Sequence, residues 1–224
     1  MKNLKIKNKV KVAATVLFLA FTSGAIAQKV ELGFRVMPTF TAMEFKTFDG
    51  GTVKAEGKLG WGVGGFLGVN FSNYVGVQVE VIYTTLSQQY KEANISHDVT
   101  LKYINIPLLL SLNTGKDKPV NLNVVVGPQL GLNVGSDINS QSSDGTTTAQ
   151  ARLDVKKSDV GFAFGAGIDF GLTSTVRLGL GYRGVRGLID ISDKSNALTT
   201  DDYYVLDRTK TVTNAGYIGI SLLF

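Results

Sequence analysis

The chain has 224 residues, with 23 Lys+Arg against 18 Asp+Glu, 26 glycines, one histidine and no cysteine. That length suits one domain or one barrel. The missing cysteines exclude disulfide staples and thiolate chemistry, and one histidine without cysteine leaves no plausible Zn²⁺ site.

Residues 1–27 read as a secretory signal peptide. Lys2, Lys5, Lys7, Lys9 and Lys11 form a positive start, Val12 to Phe21 an apolar run, and Ala25-Ile26-Ala27 a small-x-small cleavage pattern. The apolar run is about 10 residues, too short for a span that needs about 20. Gln28 follows the cut, so no lipid anchor is indicated. Loss of those five lysines would leave 18 basic against 18 acidic residues. The apparent basicity belongs to the targeting segment, and nucleic acid is excluded as a partner on that ground. After residue 27 no apolar run approaches the roughly 18 residues of a transmembrane helix, yet the chain is rich in Gly, Val, Leu and aromatics.

From residue 28 the dominant period is two. Val30, Leu32, Phe34 and Val36 alternate with Glu31, Gly33, Arg35 and Met37. Trp61 to Phe71 and Val75 to Tyr83 follow, the latter with Gln78 and Glu80 on the second face. Next come Ile104 to Leu112, Leu122 to Leu132, Val160 to Phe170 and Val176 to Tyr182. Ile218, Ile220, Leu222 and Phe224 close the chain. These eight segments have one large apolar face and one face of glycine, small or polar residues. Apolar-out, small-or-polar-in alternation suits an outer-membrane barrel facing lipid. The fold expected for residues 28–224 is an eight-stranded antiparallel up-and-down transmembrane β-barrel. The connections alternate: long at 44–58, 90–98, 135–157 and 190–210, and short at 72–73, 113–119 and 171–174. Short periplasmic turns against longer outer loops are the expected asymmetry, and an even strand count puts both termini in the periplasm. Ile218, Ile220, Leu222 and Phe224 also resemble the terminal strand that the barrel assembly machinery reads.

Several strands carry more specific text. Tyr103-Ile104-Asn105-Ile106-Pro107-Leu108-Leu109-Leu110, Gly127-Pro128-Gln129-Leu130-Gly131, Asp159 through Gly167, and Tyr182-Arg183 through Ile191 resemble strands of the PorT-like outer-membrane β-barrel family of Bacteroidetes. In the last segment the Arg and Tyr are exchanged relative to the family pattern. The resemblance covers about residues 28–224. It implies an outer-membrane barrel and a link to protein secretion, known for the founding member, but carries over no functional residues.

Candidate sites are few. Gly179 to Gly184 matches G-x-G-x-x-G, but it lies within a strand with no helix after it, so a nucleotide loop is not expected. Such glycines suit a narrow lumen, where they leave space for bulky neighbours. His97 lies at an outer rim. Its neighbours Ser96 and Asp98 would point away from it in a strand, which disfavours a catalytic triad. Asp201, Asp202 and Asp207 are read as surface charge. The inward charges are more informative. Arg35, Glu80 and Arg183 lie at similar depths, and Asp169 and Arg177 flank a short turn, where they are expected to pair across the hairpin. Charges in so narrow a lumen must find partners. Aromatics near strand ends (Phe71, Tyr74, Tyr83, Tyr103, Phe170, Tyr182 and Tyr217) are candidates for interface girdles, with Tyr74, Tyr103 and Tyr217 of inward parity.

The expected function is a non-enzymatic outer-membrane anchor or interaction platform with a filled lumen and no cofactor. Its partners would be outer-membrane lipid, the barrel assembly machinery and other envelope or secretion proteins. The alternatives are a narrow channel or small-molecule transport barrel and, third, a rim lipid hydrolase or protease.

Overall fold

The computed structural model describes residues 29–46, 52–54, 56–92, 95–142, 156–189, 191 and 211–224. Among these residues the strands are β1 (Lys29–Lys46), β2 (Thr52–Lys54), β3 (Glu56–Gly57), β4 (Leu59–Asn70), β5 (Val75–Glu92), β6 (Ile95–Asn113), β7 (Val120–Ser142), β8 (Ser158–Gly171), β9 (Val176–Gly187) and β10 (Thr211–Leu223). Every long strand pairs antiparallel with its neighbour in sequence, and β10 pairs back onto β1. The eight long strands therefore form a closed barrel, while β2 and β3 only extend β1 and β5. Closure removes the sheet edges, and it lets every backbone group bond within the sheet while the apolar face points outward.

The register fixes the barrel's girth. Glu31 stands opposite Gly68, Gly68 opposite Gln78, and Gln78 opposite Leu109. Beyond β6 the path runs through Gly127, Ala163, Val185 and Thr213, and it re-enters β1 at Thr41. That is a shear of about ten residues, which tilts the strands by about 40° and leaves an interior that side chains can fill.

The period-two pattern becomes two surfaces. Leu32, Phe34, Leu67, Val81, Leu108, Leu122, Phe162 and Ile220 are exposed on the outside, whereas Glu31, Arg35, Phe66, Glu80, Leu109, Asn121, Arg183 and Tyr217 are buried within. Ile218, Leu222 and Phe224 are exposed with Ile220 along the outer face of β10. The Phe224 amide donates to the Val30 carbonyl, so the end of the chain is bonded to its first strand.

Three short connections, at 71–74, 114–119 and 172–175, share one end of the barrel with Lys29 and Phe224. We call this the turn end. Two of them are built by hydroxyls. Ser72 Oγ accepts from the amides of Tyr74 and Val75, and Thr173 Oγ1 accepts from those of Thr175 and Val176. Such side-chain caps mimic a backbone turn. Tyr74, of inward parity in the sequence, is instead exposed on its turn.

At the opposite end the strands run further than their apolar alternation suggests. Glu92 pairs with Ile95, and Ile95 with Ser142, so much of 90–98 and the stretch 136–142 are strand rather than loop. The ladder continues because polar strand residues lose nothing by standing in water once their backbone groups are paired. A bulge between Lys102 and Tyr103 shifts the β6–β7 register by one residue at Val134. Loop residues 143–150, Asp201, Asp202 and Asp207 lie outside the described residues.

Candidate functional site

Inward-facing polar side chains form two ionic layers across the lumen. The middle layer is centred on Glu80, which is 1% exposed. Its Oε1 accepts from Arg35 Nη1 at 2.6 Å and from Arg183 Nη2 at 2.9 Å, and its Oε2 from Arg183 Nη1 at 3.2 Å. The Gln78 amide also donates to Glu80 Oε1. One carboxylate thus joins β1, β5 and β9. The Arg35 guanidinium also stands over the rings of Phe66 and Tyr217, 4.1 and 4.7 Å from their centroids. Cation–π contact of this kind is strongest where water is excluded.

Glycines make room for those rings. A Cβ at Gly167, Gly179 or Gly181 would come within 4 Å of the Tyr217 ring or hydroxyl, and one at Gly33 would overlap Phe66. Gly179 and Gly181 belong to the G-x-G-x-x-G match, so in this strand the motif is a seat for an aromatic ring.

The second layer closes the turn end. The 114–119 turn folds inward, leaving Lys116 only 5% exposed. Lys116 Nζ lies 2.7 Å from Glu31 Oε2 and 3.4 Å from Asp169 Oδ2. Ser221 Oγ donates to Glu31 Oε1 at 2.8 Å. Asp169 Oδ2 also accepts from the amides of Asn121 and Asn123, at 2.9 and 3.0 Å. Asn121 Oδ1 holds the turn through the Gly115 amide at 3.0 Å. Gly115 has φ +153°, a conformation that L side chains rarely adopt.

Arg177 locks the same turn and meets its expected partner, Asp169, only at the backbone. Its guanidinium donates to the carbonyls of Lys116, Lys118 and Asp169 at 3.2, 3.1 and 3.3 Å. The Asp169 carboxylate is taken by Lys116 instead. The reason lies in the register: Asp169 stands opposite Gly179 and Arg177 opposite Gly171. The pair is offset by two residues, and the tucked turn supplies closer partners to both.

The structure therefore brings Arg35, Glu80 and Arg183 into direct contact and places Asp169 and Arg177 in a separate layer. Glu31, Lys116 and Asn121 were not singled out from the sequence. Glu31 has inward parity near the turn end, a signal that was present. Lys116 sits in a short polar turn, and nothing local distinguishes a turn that enters the lumen from one that faces water.

At the other end Lys102 and Asp137 form an exposed pair at 2.6 Å. His97 is a strand residue opposite Tyr90 and Ser140; its side chain lies outside the described residues.

Comparison with known proteins agrees with this architecture. Residues 23–193 match the family model described as "Outer membrane protein beta-barrel domain". A search of curated proteins found no match. Among solved structures the chain is similar to the outer membrane protein OprG from Pseudomonas aeruginosa. The identity is 15% and the TM-score 0.60, over 88% of this chain and 95% of that one. It is also similar to the outer membrane protein AlkL, solved in DMPC lipid bilayers, at 15% identity and a TM-score of 0.55, over 91% and 93% of the two chains. At such identities the likeness speaks for the fold alone. The family match covers most of the sequence, and with the closed eight-stranded barrel it identifies this chain as a member of the outer membrane protein beta-barrel domain family, at home in the bacterial outer membrane.

Proposed function

We propose that the protein is a non-enzymatic outer-membrane anchor and interaction platform whose barrel does not conduct. The observation that carries this reading is the pair of ionic layers, Arg35–Glu80–Arg183 and Glu31–Lys116–Asp169, stacked across one narrow lumen. A solute would have to part both layers, and each is held by buried charges that lose their partners when separated. The turn end would face the periplasm and the tall β5–β7 wall the exterior, with residues 1–27 removed on export. Binding to other proteins would then fall to the outer ends of the strands, to their connections, or to the periplasmic turns. The PorT-like motifs favour partners among envelope or secretion proteins of Bacteroidetes.

Single-channel recording in planar bilayers tests the closed lumen: a silent membrane is expected, and stable open steps would overturn the reading. Co-purification from native membranes tests the platform. A reproducible envelope partner is expected, and its absence across several mild detergents would argue against an interaction role.

A further inference from the structure

A charge on the lipid-facing surface is left without a partner. Arg186 lies on β9 in the outward row of Tyr182 and Gly184, and it is exposed. Among the described residues it makes no hydrogen bond or ion pair. Lys102, at a similar height on β6, is held by Asp137 at 2.6 Å. Arg186 stands about ten residues above the turn end, where β9 starts at Val176. At ~3.3 Å per residue and a tilt of about 40°, that is a height of ~25 Å, the upper edge of the apolar band of an outer-membrane barrel. A cation at mid-band is costly, but at this edge it meets the lipid headgroups.

The surroundings of Arg186 are built from neighbouring strands. Phe162 stands directly opposite on β8, shares the outward face and is exposed. One row nearer the turn end, Gly184 stands between Phe164 and Asn214. Gly184 has no side chain, and the Phe164 ring takes the space: a Cβ there would stand 2.5 Å from Phe164 Cζ. Tyr182 follows, its ring centroid 6.4 Å from that of Phe164. Its hydroxyl donates to Asn214 Oδ1 at 2.5 Å. That bond occupies the acceptor of Asn214 and leaves its Nδ2 as a donor. Arg186 pairs with Val212, two residues along from Asn214, so the two side chains are diagonal neighbours on one face. The face therefore offers donors, a guanidinium and an amide, beside a shelf of aromatic rings.

We infer that Arg186 and Asn214 seat the phosphomonoester of a lipid headgroup in the outer leaflet, with the lipid's chains against Phe162, Phe164 and Tyr182. A guanidinium presents two parallel N–H donors to two phosphate oxygens, and the Asn214 amide serves the third. A monoester carries about −1.5 to −2 charges at neutral pH and three acceptor oxygens, whereas a diester carries one charge. Free phosphate lacks the chains that the aromatic shelf would hold. The inference takes over the proposed orientation, turn end to the periplasm. It is independent of the closed lumen and of the platform role, because the seat lies on the outside of the wall.

The test is native mass spectrometry of the full barrel, folded in detergent and titrated with three lipids. These are a monophosphoryl glycolipid, the same glycolipid without its phosphate, and phosphatidylglycerol. The monophosphoryl form is expected to bind about tenfold or more tighter than the dephosphorylated form. Arg186→Gln is expected to weaken its binding by about tenfold or more, and Arg186→Lys by less, because the charge stays while the two-pronged contact is lost. Asn214→Ala is expected to weaken it several-fold. Lys102→Gln removes a cation at the same height and is expected to change nothing. Heat-modifiable migration on gels reports folding of each variant. Equal binding of the two glycolipids, affinity unmoved in folded Arg186→Gln, or equal losses in Arg186→Gln and Lys102→Gln overturns the inference. Preference for phosphatidylglycerol overturns the occupant together with the orientation. Planar-bilayer recording tests the closed lumen separately, so the two readings fail in different experiments.

Discussion

Glu80→Ala is the most demanding perturbation of this barrel. The carboxylate is buried and accepts from Arg35, from both η nitrogens of Arg183 and from Gln78. Removing it leaves two guanidiniums in a closed lumen with no counter-charge between them. Breaking a buried ion pair from one side costs ~3–5 kcal/mol, because the remaining charge stays desolvated. The unfolding free energy in urea, measured in micelles or vesicles, is expected to fall by about that much. Trp61 is the only tryptophan in the sequence and is exposed on the outer face, which makes it a convenient fluorescence reporter. Glu80→Gln is expected to lose less, since its carbonyl still accepts a hydrogen bond. A triple variant, Arg35→Met with Glu80→Met and Arg183→Met, removes all three charges together and is expected to recover most of the loss. A drop below about 1 kcal/mol for Glu80→Ala would refute the reasoning, because that is the range of an exposed pair. So would a triple variant as unstable as the single one.

Other outcomes follow from the same geometry. Lys116→Met leaves Glu31 and Asp169 without their shared cation; a loss of about 3 kcal/mol in the same urea assay is expected. That variant is still expected to be silent in planar bilayers, while Lys116→Met combined with Glu80→Ala is the first candidate to conduct. Gly181→Ala places a Cβ 2.5 Å from the Tyr217 ring carbon Cζ and from the Ala166 carbonyl. It is expected to cost about 1–3 kcal/mol by overpacking, and trimming Tyr217 to Leu is expected to restore part of that loss. Deletion of Phe224 is expected to lower the yield of heat-modifiable barrel in cells far more than it changes urea stability, since its ring lies exposed on the outer face. Equal loss in both measurements would assign Phe224 to stability rather than to assembly.

The period of two settled which residues face out and which face in, because alternation is a local property of an extended chain. Leu32 and Phe34 outside, Glu31 and Arg35 inside, needed no knowledge of any other strand. Depth counted from the turn end went one step further, since Arg35, Glu80 and Arg183 are far apart in sequence and meet at one carboxylate. Strand ends were less legible. The apolar alternation stops near the edge of the apolar band, yet the β5–β6–β7 ladder continues to Glu92, Ile95 and Ser142 through polar residues.

Partner choice inside the lumen required the closed barrel. Asp169 and Arg177 look matched across their turn, but the two-residue offset and the inward fold of 114–119 give each a nearer partner. Lys116 shows the limit most clearly. Its burial follows from the girth of a barrel sheared by about ten residues, whose mouth is narrow enough for one short turn to cross. The sequence by itself determined an eight-stranded barrel with an apolar outside and a charged inside. The tertiary structure decided which charges meet and which turn enters the lumen, because those are properties of strands brought together around a closed ring.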